Sequence, residues 1–156
     1  MNTAYESILA AGRQRSVETP MAYAGAVTPG EAFALLDANP EVLLIDVRTS
    51  AERDWVGRVD IVEAQHAAIE WNGYPGGERN TAFIEQLHEV TSSQQQILLF
   101  LCRSGVRSRG AAALATASGF GHCFDILEGF EGDKDSAGHR KSVGGWCAAG
   151  LPWIGA

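Results

Sequence analysis

No apolar run in this sequence approaches the ~20 residues that a helix needs to cross a bilayer, so we predict no association with membranes. The N-terminal segment, MNTAYESILAAGRQRS, has no long apolar stretch before its arginines, unlike a secretory signal peptide. Excess positive charge is also missing, and the net charge of −7 argues against nonspecific binding to nucleic acid. Membranes and nucleic acid are therefore not among the partners that we expect.

Cysteine is scarce, and the three cysteines, Cys102, Cys123 and Cys147, are odd in number and far apart. This arrangement fits neither the disulfide framework of a small secreted domain nor the paired short spacings of a zinc site. The four histidines form no spaced cluster either, so we predict no bound metal. A reducing cytoplasm is the simplest location for such a chain.

The rest of the composition is that of an ordinary globular protein, with 156 residues and 46% apolar residues, which suits one domain with a sizeable core. Short apolar segments alternate with segments of helical character, which predicts an α/β fold around a parallel sheet. We expect strands near residues 42–47, 64–69, 97–101 and 122–127, and helices near residues 3–16, 28–39, 50–57, 80–90 and 107–118.

Two of the predicted helices begin with polar residues that are suited to capping. Thr28 and Glu31 have the spacing of a capping box, in which each side chain accepts a hydrogen bond from the backbone N–H of the other residue. Asn80 or Thr81 is expected to cap a later helix, whose apolar residues share one face: Phe83, Ile84, Leu87 and Val90.

The segment CRSGVRS, residues 102–108, concentrates reactive side chains at the junction between a predicted strand and a predicted helix. Parallel α/β sheets bind ligands at the carboxyl ends of their strands, which is where Cys102 lies. A loop that curls back there directs backbone N–H groups inward, and the start of the next helix adds partial positive charge. Together with Arg103 and Arg107, these features favour the thiolate, which is the nucleophilic form of cysteine.

The other residues of this segment complete a cradle for an anion. Gly105 permits a tight turn, and Ser104 and Ser108 offer hydroxyl groups, of which Ser108 could also cap the helix. The alternative is a buried structural cysteine beside solvent-facing arginines, but two arginines, two serines and a glycine in seven positions favour a functional role. We predict that Cys102 is the catalytic residue and that the residues after it bind substrate: Arg103, Ser104, Gly105, Val106, Arg107 and Ser108.

CRSGVRS resembles the active-site loop of rhodanese-domain sulfurtransferases, and three other segments resemble motifs of that family in the same order. LLIDVRTSAERDWVGRV, residues 43–59, is similar to the first signature, and ILEGFEG, residues 126–132, to the glycine turn after the active-site helix. GGWCAAGLPW, residues 144–153, is similar to the closing Trp and Gly-Leu-Pro motif. The chain departs from the family at Arg58, where His is usual, and in an additional polar segment, residues 133–144.

This resemblance implies a three-layer α/β fold, with a central, mostly parallel five-stranded sheet flanked by helices, over residues 27–156, after a helical extension over residues 1–26. It also implies that Cys102 takes the outer sulfur of an anionic donor such as thiosulfate, forms a persulfide and passes the sulfur to cyanide or a thiol. Loop amides and Arg103 or Arg107 stabilise the leaving anion. Such a transfer requires neither a metal nor an organic cofactor.

Two alternatives remain open. Cys-dependent phosphatases and arsenate reductases have five residues between Cys and Arg, whereas four separate Cys102 from Arg107, and the shorter loop favours a persulfide sulfur over a phosphoryl group. The other alternative is a partner-binding rhodanese module or a persulfide carrier for one protein acceptor, although such modules often lack the cysteine.

Three residues of the first signature are candidates for a supporting role, namely Asp46, Arg48 and Glu52. Arg48 either lines the site or, as we favour, forms an ion pair with Glu52 four residues later. The segment WNGYPGG, residues 71–77, forms either one wall of the pocket or an ordinary surface loop.

The two remaining cysteines are predicted to be structural. Cys123 lies in an apolar strand and is expected in the core. Cys147 is expected to pack within the closing segment rather than to resolve a persulfide as a disulfide. Residues 133–144 carry basic side chains that bear on what binds near the mouth of the Cys102 loop.

Overall fold

Seven strands and six helices lie within residues 3–155, which the computed structural model describes. The strands are β1 Gly25–Val27, β2 Leu43–Asp46, β3 Arg58–Val59, β4 His66–Ala68, β5 Leu98–Leu101, β6 Cys123–Ile126 and β7 Trp153–Ile154. The helices are α1 Thr3–Glu18, α2 Pro29–Ala38, α3 Ser50–Trp55, α4 Phe83–Val90, α5 Arg107–Ala117 and α6 Gly145–Ala148, with a 3₁₀ turn at Glu63–Gln65.

Five of these strands form the central sheet, in the order β1-β6-β5-β2-β4, with every neighbouring pair parallel. Successive strand residues point to opposite faces of the sheet. Ile45 and Phe100 belong to the core shared with α4 and α5, whereas Leu44 and Leu99 belong to the core shared with α1, α2 and α6. The predicted three-layer α/β fold with a five-stranded sheet is therefore confirmed.

Two short structural features were not predicted from the sequence. Strand β1 pairs with β6 at one edge of the sheet, and a Cβ on Gly25 in β1 would overlap the backbone of Gly12 in α1. Strands β3 and β7 form a separate antiparallel pair. The close packing of α1 on β1 joins the N-terminal segment to the sheet, and the division of the chain at residue 26 stays a prediction.

Helix starts agree with the sequence at α2 but not at α4. The capping box of Thr28 and Glu31 is present, and a second one forms at the start of α3 between Thr49 and Glu52. The prediction that Asn80 or Thr81 caps α4 is wrong, because the helix begins after Ala82 without a side-chain cap. Asn80 instead turns the chain into the helix by accepting a hydrogen bond of 3.1 Å from the Ala82 N–H.

The predicted apolar face of α4 is also only partly correct. Phe83 and Leu87 are fully buried, but Val90 is 42% exposed at the end of the helix. Over residues 3–155, no helix combines the length and the apolar character needed to cross a membrane.

Candidate active site

Cys102 lies directly after β5, at the carboxyl edge of the sheet, as the sequence predicts. The residue is 1% exposed, and its Sγ accepts a hydrogen bond of 3.1 Å from the backbone N–H of Gly105. Gly105 has a φ of +103°, a conformation that glycine adopts without strain, so the loop can fold back over the sulfur. One inward-pointing amide of the predicted cradle is therefore in hydrogen-bond contact with the thiol.

Ser108 lies beneath the thiol and does not cap α5 as predicted. The N-cap position is occupied by Val106, so Ser108 falls within the first turn and points into the protein. The Cys102 thiol donates a hydrogen bond of 3.2 Å to Ser108 Oγ, and Ser108 in turn donates to Asp125 in β6. The hydroxyl group therefore links the reactive sulfur to a buried carboxyl group.

Asp125 is a member of the site that was not predicted from the sequence. Burial raises the pKa of its carboxyl group to about 7, against the opposing effects of the Ser108 hydrogen bond and of Arg109. A single acidic residue inside the otherwise apolar strand CFDI was the signal available in the sequence, because an unpaired buried carboxylate is costly.

Arg107 is held in a two-point ion pair with Glu52. Its Nη1 and Nη2 donate to Oε1 and Oε2 of Glu52 over 2.7 and 2.8 Å. Burial raises the pKa of Glu52, but hydrogen bonds from Arg107 and from the Thr49 backbone outweigh that effect and lower this pKa to about 2. The carboxylate is thus a permanent partner for Arg107 at neutral pH.

Arg48 has a structural role, but its partner is not the one that the sequence spacing indicated. The predicted ion pair with Glu52 is absent, because Arg48 turns inward and binds Asp46, with an Nη2–Oδ2 distance of 2.8 Å. Both side chains are fully buried, and Nη2 also donates to the carbonyl of Gly57 at 2.9 Å. The guanidinium lies 4.3 Å from the ring centroid of Phe130, so it is part of the core.

The glycine turn after β6 supports the Cys102 loop from behind. Backbone N–H groups of Phe130 and Glu131 donate to the carbonyls of Cys102 and Arg103 at 2.8 and 2.9 Å. Gly129 packs so close that an added Cβ would lie 2.6 Å from the backbone of Arg103. The loop and this turn are therefore joined through backbone hydrogen bonds and close backbone packing.

A cavity of about 390 Å³ opens above the loop, between Arg103 and Arg107 on one side and α3 on the other. Trp55 and Tyr74 form its aromatic wall, where their rings meet edge to face with centroids 5.6 Å apart. Arg103 is exposed at the mouth and makes no ion pair with any residue of the described chain.

The sequence left open whether the segment at residues 71–77 forms a wall of the pocket or an ordinary surface loop. Tyr74 lines the cavity above the loop, whereas Trp71 is buried in the core against Phe83. A second cavity of about 700 Å³ lies on the other side of Arg107, and Trp71 and Arg79 line it with the exposed side chain of Val106. The segment thus contributes to both walls around the loop.

The sequence profile of the rhodanese-like domain matches residues 28–136, which include this loop and both signatures that precede and follow it. The chain belongs to the rhodanese-like domain family. Membership of this family supports a function in sulfur transfer in general terms.

Three similar proteins illustrate the extent of the match. The crystal structure of Rv0390 from M. tuberculosis is 40% identical, has a TM-score of 0.77, and matches 86% of this chain and 99% of its own. A protein of Rickettsia conorii described as uncharacterized is 31% identical over 124 residues, which are 79% of this chain and 91% of that protein. The polysulfide-sulfur transferase homodimer of Wolinella succinogenes, 18% identical with a TM-score of 0.60, covers 97% of this chain and 88% of its own and shares the fold.

The other two cysteines of this rhodanese-like domain are packed as predicted. Cys123 is fully buried in the core, and Cys147 is half-buried against the opposite core. Burial raises the pKa of each thiol to about 11, which keeps both in the unreactive protonated form. Among residues 3–155, no cluster of three or more His, Cys, Asp or Glu side chains could hold a metal ion.

The additional segment at residues 133–144 folds into a turn around Asp135, which accepts hydrogen bonds from the backbone of Ala137 and His139. Lys141 extends from it to the carbonyl of Val56 at 3.2 Å and to the ring of Trp153, 4.4 Å from its centroid. The contacts of Lys141 therefore connect the segment at residues 133–144 to the end of α3 and to β7.

Proposed function

We propose that this protein is a sulfurtransferase in which Cys102 carries the transferred sulfur as a persulfide. The observation behind the proposal is the position of the Cys102 thiol at the carboxyl end of β5, where the Gly105 N–H contacts it at 3.1 Å. A nucleophile at that place receives hydrogen bonds from the loop and partial positive charge from the start of α5.

In the first step, the Cys102 thiolate attacks the outer sulfur of a donor such as thiosulfate. A new S–S bond forms at Sγ, and the S–S bond of thiosulfate breaks, with its electron pair leaving on sulfite. Arg103 is the cation that is free to bind the sulfonate end, because Arg107 is already paired with Glu52. We assign Ser104 and Val106, with the other residues of the loop, to the part of the site that the donor contacts as it approaches Cys102.

In the second step, cyanide or a thiolate attacks the outer sulfur of the persulfide. The new bond joins the acceptor to that sulfur, and the Cys102 thiolate leaves with the electron pair of the broken S–S bond. Each cycle therefore regenerates the starting thiolate, and neither an oxidant nor a reductant is consumed. The chemistry requires no cofactor. Asp46 and Arg48 contribute indirectly, because their buried ion pair stabilises the core behind the loop.

A protein acceptor is a second candidate for the physiological partner, since the mouth of the loop exposes large apolar side chains. Trp55 and Tyr74, which line the cavity above the loop, are 68% and 60% exposed, and Val106, which lines the cavity on the other side of Arg107, is 65% exposed. A small thiol does not require such a surface, whereas an acceptor protein would cover it. A cytoplasmic location is part of this proposal, because all three cysteines are unpaired thiols.

Intact-mass analysis after treatment with thiosulfate tests the proposal. Wild-type protein should gain the mass of one sulfur atom, located on Cys102 by peptide mapping, and cyanide should remove it as thiocyanate. Cys102→Ser should gain nothing, whereas Cys147→Ser, which alters a half-buried thiol outside the loop, should gain sulfur as the wild type does.

The absence of a sulfur adduct on the wild-type protein would overturn the proposal, and turnover of a phosphoester by the same sample would support the phosphatase alternative. A persulfide that forms but is not released to small thiols would indicate a carrier for one protein acceptor. Steady-state turnover with a small thiol as the acceptor separates an enzyme from this carrier.

A further inference from the structure

A single hydroxyl group connects the Cys102 thiol with a buried carboxyl group. Sγ donates to Ser108 Oγ over 3.2 Å, and Ser108 donates to Oδ1 of Asp125. None of the three residues is more than 1% exposed. Water therefore has little access to the thiol, and Asp125 is the proton acceptor that the hydrogen bonds reach.

The position of Asp125 in β6 brings its carboxyl group close to the Cys102 loop. Asp125 follows Cys123 by two positions in β6, so both point toward the face that α5 covers. Ser108 lies in the first turn of α5, where it contacts the Cys102 thiol. Burial of a carboxyl group is costly, and an asparagine of the same size would avoid the charge, so a role in the chemistry explains its presence.

We propose that Asp125 accepts the proton of the Cys102 thiol, through Ser108, when the sulfur becomes a nucleophile. This inference rests on the proposed function of Cys102. The thiol proton moves to Ser108 Oγ while the hydroxyl proton of Ser108 moves to Oδ1, which leaves a thiolate, an intact hydroxyl group and a neutral carboxylic acid. The hydrogen bonds then run in reverse, so that Ser108 donates to the thiolate and afterwards to the inner sulfur of the persulfide.

The surroundings of Asp125 suit a base that works near neutral pH. Burial raises its pKa to about 7, and the Ser108 hydrogen bond and the positive charge of Arg109 limit this rise. The other titratable groups that face it are Tyr23, from the segment before β1, and the Cys102 thiol. The residues in register on the two neighbouring strands are apolar. A base with a pKa near the working pH accepts protons efficiently.

The rate at which iodoacetamide alkylates Cys102, followed by site-resolved mass spectrometry across a pH series, tests this relay. At about pH 7.5, Asp125→Asn and Ser108→Ala should each react about a hundredfold more slowly than the wild type, at the low end of the usual contribution of a positioned base. The wild-type alkylation rate should rise with pH near the pKa of Asp125, and the Asp125→Asn profile should lack this rise. The difference between the variants and the wild type should narrow at alkaline pH, where hydroxide competes with Asp125 as the base.

Cys123→Ala is the matched control, because it disturbs the same face of β6 without touching the relay, and it should keep the wild-type pH profile. An Asp125→Asn rate equal to or above the wild-type rate at neutral pH would overturn the proposal, since a carboxylate that only repels the thiolate predicts an increase. If Asp125→Asn does not fold, the Ser108→Ala profile decides. Alkylation needs no sulfur donor, so the relay and the proposed sulfur transfer can fail independently.

Discussion

Arg107 and Glu52 form a two-point ion pair beside Cys102, with N–O distances of 2.7 and 2.8 Å. The same carboxylate accepts a hydrogen bond of 3.1 Å from the backbone N–H of Thr49, the N-cap residue of α3. One acidic side chain therefore caps α3 and fixes the first residue of α5. The two helices that border the mouth of the loop are joined by this contact.

We expect a double-mutant cycle with Glu52→Gln and Arg107→Met to give a coupling energy of about 1 to 2 kcal/mol, typical of residues in one hydrogen-bond network. Urea unfolding of the four proteins provides the measurement. The coupling should also depend on pH, because the pKa of Glu52 is lowered from 4.5 to about 2. The ionised carboxylate of Glu52 contributes its full stabilisation when the pH is above the ordinary carboxyl pKa of 4.5. The coupling should therefore disappear as the pH falls from 4.5 to about 2, where the carboxylate takes up a proton. A coupling that is constant over this range would contradict the assignment.

Arg103 should contribute more to donor binding than its exposure alone indicates. It has no ion-pair partner within residues 3–155 and lies at the mouth of the loop, so its guanidinium is free to bind an anion. Arg103→Ala should raise the KM for thiosulfate about tenfold, as expected for one charge-assisted hydrogen bond. Arg13→Ala is the control, because Arg13 contacts His122 at the opposite end of the sheet. Equal KM values for the two variants would contradict the prediction.

Local sequence patterns were sufficient to predict the sheet, the capping box at Thr28 and the position of Cys102 at the end of a strand. Contacts between distant residues were not accessible in the same way. Helical spacing indicated Arg48 as the partner of Glu52, whereas the partner is Arg107, 55 residues away in sequence and adjacent only after the sheet forms. Strands β1 and β3 were missed because two or three residues are too few to show a period.

Gly129→Ala should damage both stability and sulfur transfer, whereas Gly138→Ala should cost only a little stability. Both glycines have positive φ angles, +67° and +83°, which cost alanine about 1 kcal/mol. Only Gly129 lacks space, since its Cβ would lie 2.6 Å from the carbonyls of Cys102 and Arg103. Thermal unfolding and the rate of persulfide formation measure the two effects. Similar transfer rates in both variants would show that the loop does not depend on this close contact.

Removing one partner of the buried pair Asp46–Arg48 should be more damaging than replacing both. Arg48→Ala leaves the fully buried Asp46 carboxylate without its cation, at a cost of about 3 to 5 kcal/mol. The double variant Asp46→Leu with Arg48→Met fills the same space with apolar groups and should regain part of that stability. Urea unfolding measures each step. A double variant less stable than Arg48→Ala would indicate that the pair supplies more than charge neutralisation.

Asp125→Asn should change the pH dependence of stability in a direction that the burial of the carboxyl group determines. Burial raises the pKa of Asp125 from 3.8 to about 7, so the folded protein keeps this group neutral while the unfolded chain ionises. The free energy of unfolding therefore falls as the pH rises from 3.8 through about 7, and an asparagine removes this loss. The variant should gain on the order of 2 to 4 kcal/mol relative to the wild type over that range, at about 1.4 kcal/mol per pKa unit.

Urea unfolding at a series of pH values measures this gain, with Cys123→Ala as the control. That variant removes a buried group from the same face of β6, and it should lower stability by the same amount at every pH between about 4 and 8. Parallel curves for Asp125→Asn and the wild type would mean that the carboxyl group ionises in the folded protein as readily as in the unfolded chain. The relay through Ser108 would then lack the buried base that it requires.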